Sequence, residues 1–218
     1  ENSDDDIEYV SGPQDSFLEE FPCFWLCNNG VTPGQFQQFI VKNDKLSSYF
    51  SGMGYTVDEP IDISFDFSDR GHSRFRRTLS YYLAKEPVKL IYITVPILRN
   101  YEDFMYFVRE VCAKQVKDDN YFIVSANWTN RCWDAKAMQN VENVAWFTKV
   151  EMSTYFSANY TAAPMCLMHN LGEGALNPVI VGPYGRRSKT LSQQTLIGHL
   201  DDLPIAFCHA IATYAVEH

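Results

Sequence analysis

Apolar residues along this chain recur in two rhythms, short runs or two-residue alternations and longer stripes at three- and four-residue spacing, and the alternation of the two organises everything else. Residues 21–27 form a compact apolar run suited to a buried strand. Asn28-Asn29-Gly30 then turns the chain, and Thr32-Pro33 opens a helical stretch, Thr serving as N-cap and Pro suiting the first helical position. Gly52 and Gly54 close that helical region. Ile61, Ile63, Phe65 and Phe67 alternate with polar residues as a half-buried strand does. Residues 73–85 are helical in pattern, and 88–97, bounded by Pro87 and Pro96, are strand-like.

The clearest helix spans 101–117, where Tyr101, Phe104, Met105, Val108, Val111 and Cys112 make one apolar stripe. Asn100 is its expected cap, and Glu102 and Asp103 favour the first turn through the helix dipole. Strands are predicted at 121–126, 144–156, 164–168 and 178–181, and a final helix at 203–216 with Asp202 as cap and Pro204 in the first turn. Strands alternating with helices imply an α/β sandwich. Residues 1–20 read instead as an acidic, solvated linker broken by Ser11-Gly12-Pro13, leaving 21–218 as the domain.

Composition narrows the class. The 218 residues are 46% hydrophobic and 21% charged, the proportions of a chain that buries a core. There is no apolar run of about 18 residues, so no membrane span is expected, and the acidic start is not of signal-peptide type. A net charge of −9 argues against a broad nucleic-acid-binding face. The charge is uneven, however: acids crowd the first twenty residues, whereas Arg70, Arg74, Arg76 and Arg77 cluster beside His72 and Phe75. Six widely spaced cysteines without a C-x-x-C point to reduced thiols and an intracellular protein (cytoplasm or nucleus). Two sequons, at Asn127 and Asn159, keep a secreted alternative open. The four tryptophans are expected in the core.

Three segments carry a family resemblance. Asn29-Gly30-Val31-Thr32-Pro33-Gly34-Gln35-Phe36 resembles the point in eukaryotic Argonaute PIWI domains where a strand ends in Asp-Gly-Val-Ser and a Gly-Gln-Phe turn leads into a helix. Val108-Arg109-Glu110-Val111-Cys112-Ala113-Lys114, running through Lys117-Asp118 into Tyr121-Phe122-Ile123-Val124, is similar to the helix and strand that follow. His169-Asn170-Leu171-Gly172-Glu173-Gly174, with Pro178, resembles the family's His-containing, Gly-rich segment. The three occur in the family's order and together cover about half of the chain. The resemblance implies an RNase H-like PIWI sandwich, incomplete on its N-terminal side, with an insertion at 39–100. The family's earlier strands, with their first catalytic Asp and Glu, have no counterpart. Either the chain is a fragment, or another chain or the insertion completes the sheet.

The family's cutting chemistry needs clustered carboxylates to hold two divalent ions. The resemblance places Asn29 at the catalytic Asp position, and a neutral amide does not supply the missing charge. His209, on the last helix, matches the family's final catalytic position in one registration. A second registration leaves no catalytic His, and a helix His among apolar residues is commonly a core residue. No slicing, no enzyme activity and no cofactor are therefore expected. Arg131, just after the 122–126 strand, falls where the family has basic residues near the guide backbone. The cluster of Arg70, Arg74, Arg76 and Arg77 either binds phosphates or is a solvated helix face. Arg186, Arg187 and Lys189 read as a loop, and Cys166-x-x-His169 lacks the paired hooks of a zinc site.

Three functions follow as expectations. The first is a slicing-incompetent Argonaute-like module holding a small guide RNA that pairs with target RNA, and acting through recruited protein effectors. The second is a degenerate PIWI fold serving as a protein-binding scaffold without RNA. The third is a secreted glycoprotein with three disulfides.

Overall fold

The sequence Leu90–Thr94, LIYIT, is rich in β-branched residues, and it forms the strand β3 at the centre of the molecule. A computed structural model describes residues 36–40, 44–62, 88–98, 101–155, 160–180, 195–197 and 204–216, all within one unit spanning Pro33–His218. β1 (Phe36–Ile40) pairs parallel with β3 on one side, and β2 (Ile61–Asp62) pairs parallel with β1 beyond it. On its other side β3 pairs parallel with β4 (Tyr121–Asn127). β7 (Met165–His169) then runs antiparallel to β4, and β5 (Trp146–Val150) antiparallel to β7. The order is β2-β1-β3-β4-β7-β5, a mixed six-stranded sheet whose parallel part reverses direction of growth between β1 and β3. β6 (Tyr160–Ala162) and β8 (Thr195–Ile197) form a separate parallel pair.

Strand geometry sends successive side chains to opposite faces, so two cores result. On the front, Ile91 and Ile93 of β3 and Phe122 and Val124 of β4 pack with Phe104, Phe107, Val108 and Val111 of α2 (Glu102–Lys117). On the back, Leu90, Tyr92, Ile123 and Leu167 meet Leu46 and Phe50 of α1 (Lys45–Gly52) and Phe207 and Ile211 of α3 (Ile205–Val216). The chain is therefore an α/β protein with helices on both faces of an open sheet. β3 and β4 are hydrophobic on both faces because both are covered.

Polar side chains tie the layers together. Gln115, fully buried at the end of α2, donates through Nε2 to the carbonyls of Val88 (3.0 Å) and Tyr121 (2.8 Å), stitching the helix to the starts of β3 and β4. The Asn170 side chain accepts from Phe122 N–H (2.8 Å) and donates to the Asn120 carbonyl (2.9 Å), fixing the entry to β4. That entry also needs Asp119 in the left-handed region, φ 54°, a conformation Asp tolerates better than most residues.

Several elements fall where the pattern predicts: α2, β4, β7, α3, and the helix end at Gly52 and Gly54. Others differ. The helical stretch expected after Thr32-Pro33 is contradicted at residues 36–40, which are β1. Gln37 and Gln38 resemble a helix's polar face, yet both are buried with their amides bonded. Gln37 Nε2 donates to the Glu59 carbonyl at 2.6 Å, and Gln38 Oε1 accepts from Ser47 N–H and Oγ–H of α1. The strand expected over 144–156 is only Trp146–Val150. A 3-10 turn at Met152–Tyr155 follows it, with Thr154 bonding back to the Glu151 carbonyl through both N–H and Oγ–H. The strand expected at 178–181 is instead a 3-10 turn, Asn177–Val179, opened by Pro178. The segment 39–100 contributes α1, β2 and β3, and β3 lies inside the sheet between β1 and β4. The linker at 1–20, the run at 21–27, the alternation beyond Asp62, the helix at 73–85 and the cap Asp202 lie outside the described residues.

Candidate functional site

Where β4 ends, its backbone is handed directly into a tight turn. Trp128 N–H bonds the Pro164 carbonyl at 2.8 Å, and Asn130 N–H bonds the Asn127 carbonyl at 2.9 Å. The Asn130 side chain then caps the 3-10 turn Arg131–Asp134 by accepting from Cys132 N–H at 2.9 Å. Trp133 Nε1–H closes back on the Asn127 carbonyl at 3.1 Å, and Cys132 is buried in the front core. These bonds hold Arg131 outward. It is exposed, and among the described residues it has no ion-pair or hydrogen-bond partner.

Arg131 shares a cleft of about 350 Å³ with Ile97, Leu98, Tyr101, Asn127, Thr129 and Asn130. The cleft lies outside the carboxyl ends of the adjacent parallel strands β3 and β4, one strand away from the reversal point between β1 and β3. Its two walls differ. The β3 side is apolar, with Leu98 and the Tyr101 ring anchored against the front core. The β4 side is polar and carries the cation. Glu102 accepts from Lys136 N–H at 3.3 Å, tying the start of α2 to the segment after Arg131.

Among the described residues the thiols are not activated and no metal cage is formed. No group of three or more His, Cys, Asp or Glu among them is placed to hold a metal ion. Cys112, Cys132, Cys166 and Cys208 are buried thiols in no disulfide. Burial raises the thiol pKa of Cys112 and Cys132 far above its ordinary value and that of Cys166 to about 12, so these thiols stay protonated and unreactive. Cys208 lies on the back face of the sheet, whereas Cys112 and Cys132 sit on the front. His169 is fully buried on β7, where Nε2 shares a 3.0 Å hydrogen bond with Thr148 Oγ1 and Nδ1 has no partner among the described residues. Burial lowers its pKa to about 4, which keeps the ring neutral.

No protein-family model matches this chain. No curated protein and no solved structure matches it either. The site therefore stands on its own geometry.

Of the residues singled out in the sequence, Arg131 lies in the cleft. His209 is exposed on α3, its ring edge-to-face with Tyr49 of α1 at 6.2 Å, and nothing described brings it to Arg131. Asn29, Arg70, Arg74, Arg76 and Arg77 lie outside the described residues. The tryptophans are not all core: Trp128 and Trp146 are 42% and 45% exposed, Trp133 is partly buried, and Trp25 is not described. β5 lies at the sheet margin, so its side chains meet solvent; Lys149 stacks over Trp128 at 5.6 Å instead of a core covering it. The sequence reading missed Tyr101, Thr129 and Asn130 as cleft residues. Their signal was available: polar residues clustered immediately after a hydrophobic strand mark the loop where such sheets place their sites.

Proposed function

We propose that this chain is a non-cutting, Argonaute-like module, RNase H-like in its PIWI fold, that holds a small guide RNA and acts through protein effectors it recruits. The single observation that carries the reading is Arg131: exposed, without a partner among the described residues, and held at the carboxyl edge of the sheet in the position for which the resemblance implies guide-backbone contact. Two of the three resembling segments support it, since α2 feeds β4 directly and the Gly-rich turn at Gly172 and Gly174 follows β7. The first segment departs from it, because β1 stands where the family has a helix. Cutting is not part of the proposal, because Asn29 replaces the required carboxylate.

Sequencing the RNA that co-purifies with the chain tests this reading. A discrete small-RNA population with a uniform 5′ end, lost in Arg131→Glu, is the expected result. Protein that emerges free of RNA from cells rich in small RNA sinks it.

A second reading, a protein-binding scaffold without RNA, draws on a different observation. Trp128 and Phe147 are exposed beside Lys149. Exposed aromatics grouped in this way mark protein contact surfaces. RNA-free protein whose partners are lost on Trp128→Ser and Phe147→Ser substitution would favour this second reading.

A further inference from the structure

At the margin of the sheet, the register tells which backbone groups of β5 lack a neighbour. Trp128 N–H bonds the Pro164 carbonyl, so along the antiparallel pair of β4 and β7 it is Pro164, Cys166 and Met168 that face β4 with their backbone groups. Met165, Leu167 and His169 therefore turn theirs toward β5, where they meet Val150, Thr148 and Trp146. Phe147 and Lys149 are left with N–H and C=O pointing away from the sheet. Glu151, next in the same phase, gives its N–H to the Ile180 carbonyl at 3.1 Å, which closes that end of the edge. Among the described residues nothing pairs with Phe147 or Lys149 on the outer side, and both side chains are exposed.

We infer that β5 pairs antiparallel with β5 of a second copy of this chain, about a twofold axis at Thr148. Thr148 is the middle residue of Trp146–Val150, so full overlap of the two strands sets it opposite itself. In that register Phe147 of each copy exchanges both backbone bonds with the other copy's Lys149, and every outward group of β5 is satisfied. The side chains fit the same occupant. On the front face each Phe147 ring lies opposite the other copy's Lys149, an aromatic–cation pair. On the back each exposed Trp146 lies opposite the other copy's Val150. The sole charge of β5 selects the register: an axis at Lys149 sets two ammonium groups opposite each other and needs the Glu151 N–H that Ile180 holds. An axis at Phe147 runs the ladder into the 3-10 turn Glu142–Val144. This inference goes beyond the guide-RNA reading and does not depend on it, since it concerns the backbone edge of β5 and not Arg131. It differs from the scaffold reading in its occupant, which is the chain itself.

The experiment is sedimentation equilibrium of the RNA-free chain at concentrations up to about 0.5 millimolar, where a small interface gives a reversible, concentration-dependent dimer. Lys149→Pro removes an outward N–H, and proline is tolerated on an edge strand, so β5 keeps its bonds to β7. This variant is expected to stay monomeric throughout, with the wild-type near-ultraviolet circular dichroism. Lys149→Val, which keeps the N–H, is expected to dimerise. Thr148→Cys tests the axis without a proline. Opposed residues of a non-hydrogen-bonded pair lie about 4.5 Å apart at Cα, within disulfide reach, so mild oxidation is expected to join position 148 of the two copies. A wild-type chain that remains monomeric overturns the inference. So does a dimer retained in Lys149→Pro, or oxidised Thr148→Cys in which peptide mapping finds no link between the two positions. A chain that stays monomeric yet accepts an added β-strand peptide at β5 assigns the edge to another protein and overturns it too. Loss of co-purifying RNA in Arg131→Glu bears on the proposed function alone and leaves this result standing.

Discussion

The parallel centre of the sheet and its antiparallel margin use the same strand geometry for opposite ends. β3 and β4 are covered on both faces and are apolar almost throughout, so their side chains are close-packed and their backbone bonds are shielded. β5 has Trp146, Phe147 and Lys149 exposed and only Val150 fully buried. Between them, β7 is buried along its whole length yet carries a histidine with an unbonded nitrogen. The contrast teaches where this molecule holds its stability and where it tolerates compromise: the centre resists change, and the margin and loop ends carry the polar chemistry.

The comparison breaks if core truncations cost no more at the centre than at the margin. Phe104→Ala or Phe122→Ala is expected to lose about 3–5 kcal/mol in urea denaturation. Phe147→Ala, with its ring half in solvent, is expected to lose about 1 kcal/mol or less. Comparable losses at both places would show that β5 is packed as tightly as β4.

Acid sharpens it at β7. An unfolded imidazole takes up its proton near pH 6.5, whereas His169 in the folded chain does so only near 4. The unfolded state therefore binds more protons between those values. Stability is complete above about pH 6.5 and falls as pH drops toward 4, by about 3 kcal/mol if His169 acts alone. Urea midpoints measured from pH 7 down to 4 are expected to show this fall, and His169→Gln is expected to flatten it. An identical profile in the variant would assign the acid sensitivity to carboxylates instead.

Smaller effects follow at the seams. Gln115→Leu removes two buried donors and leaves the Val88 and Tyr121 carbonyls short of a partner, an expected loss of about 1–3 kcal/mol in the same assay. Arg131→Gln touches no described partner and is expected to change stability by no more than about 0.5 kcal/mol. A larger loss would mean that Arg131 is structural, which would remove the main support for the guide-RNA reading.

Legibility in the sequence followed the physics of each element. α2 was readable because its stripe is long and the period of 3.6 has many chances to repeat, and β4 because it is a continuous apolar run. β1 was not, because Gln37 and Gln38 are polar for the sake of bonds to Glu59 and Ser47, residues far enough along the chain that no local pattern announces them. Pro178 was read as a strand opening when its fixed φ suits a helical turn equally well. In the site, Arg131 was found through its place after β4. Tyr101 was counted only as part of the α2 stripe, since a window of sequence does not reveal that the ends of β3 and β4 are neighbours.

The order β4-β7-β5 carries a consequence for assembly. β5 leaves the ribosome before β7 but lies outside it in the sheet, so its hydrogen-bonding neighbour does not yet exist when β5 is complete. During that interval a nascent chain presents Trp146 and Phe147 on a strand with nothing described to pair it, beside a finished β4 whose own edge is still open. Direct pairing of β5 with β4 would be an off-pathway shortcut, and β7 would have to displace it. Synthesis of this protein thus passes through a stage at which chaperone protection matters most, set by topology and not by the strength of any one contact.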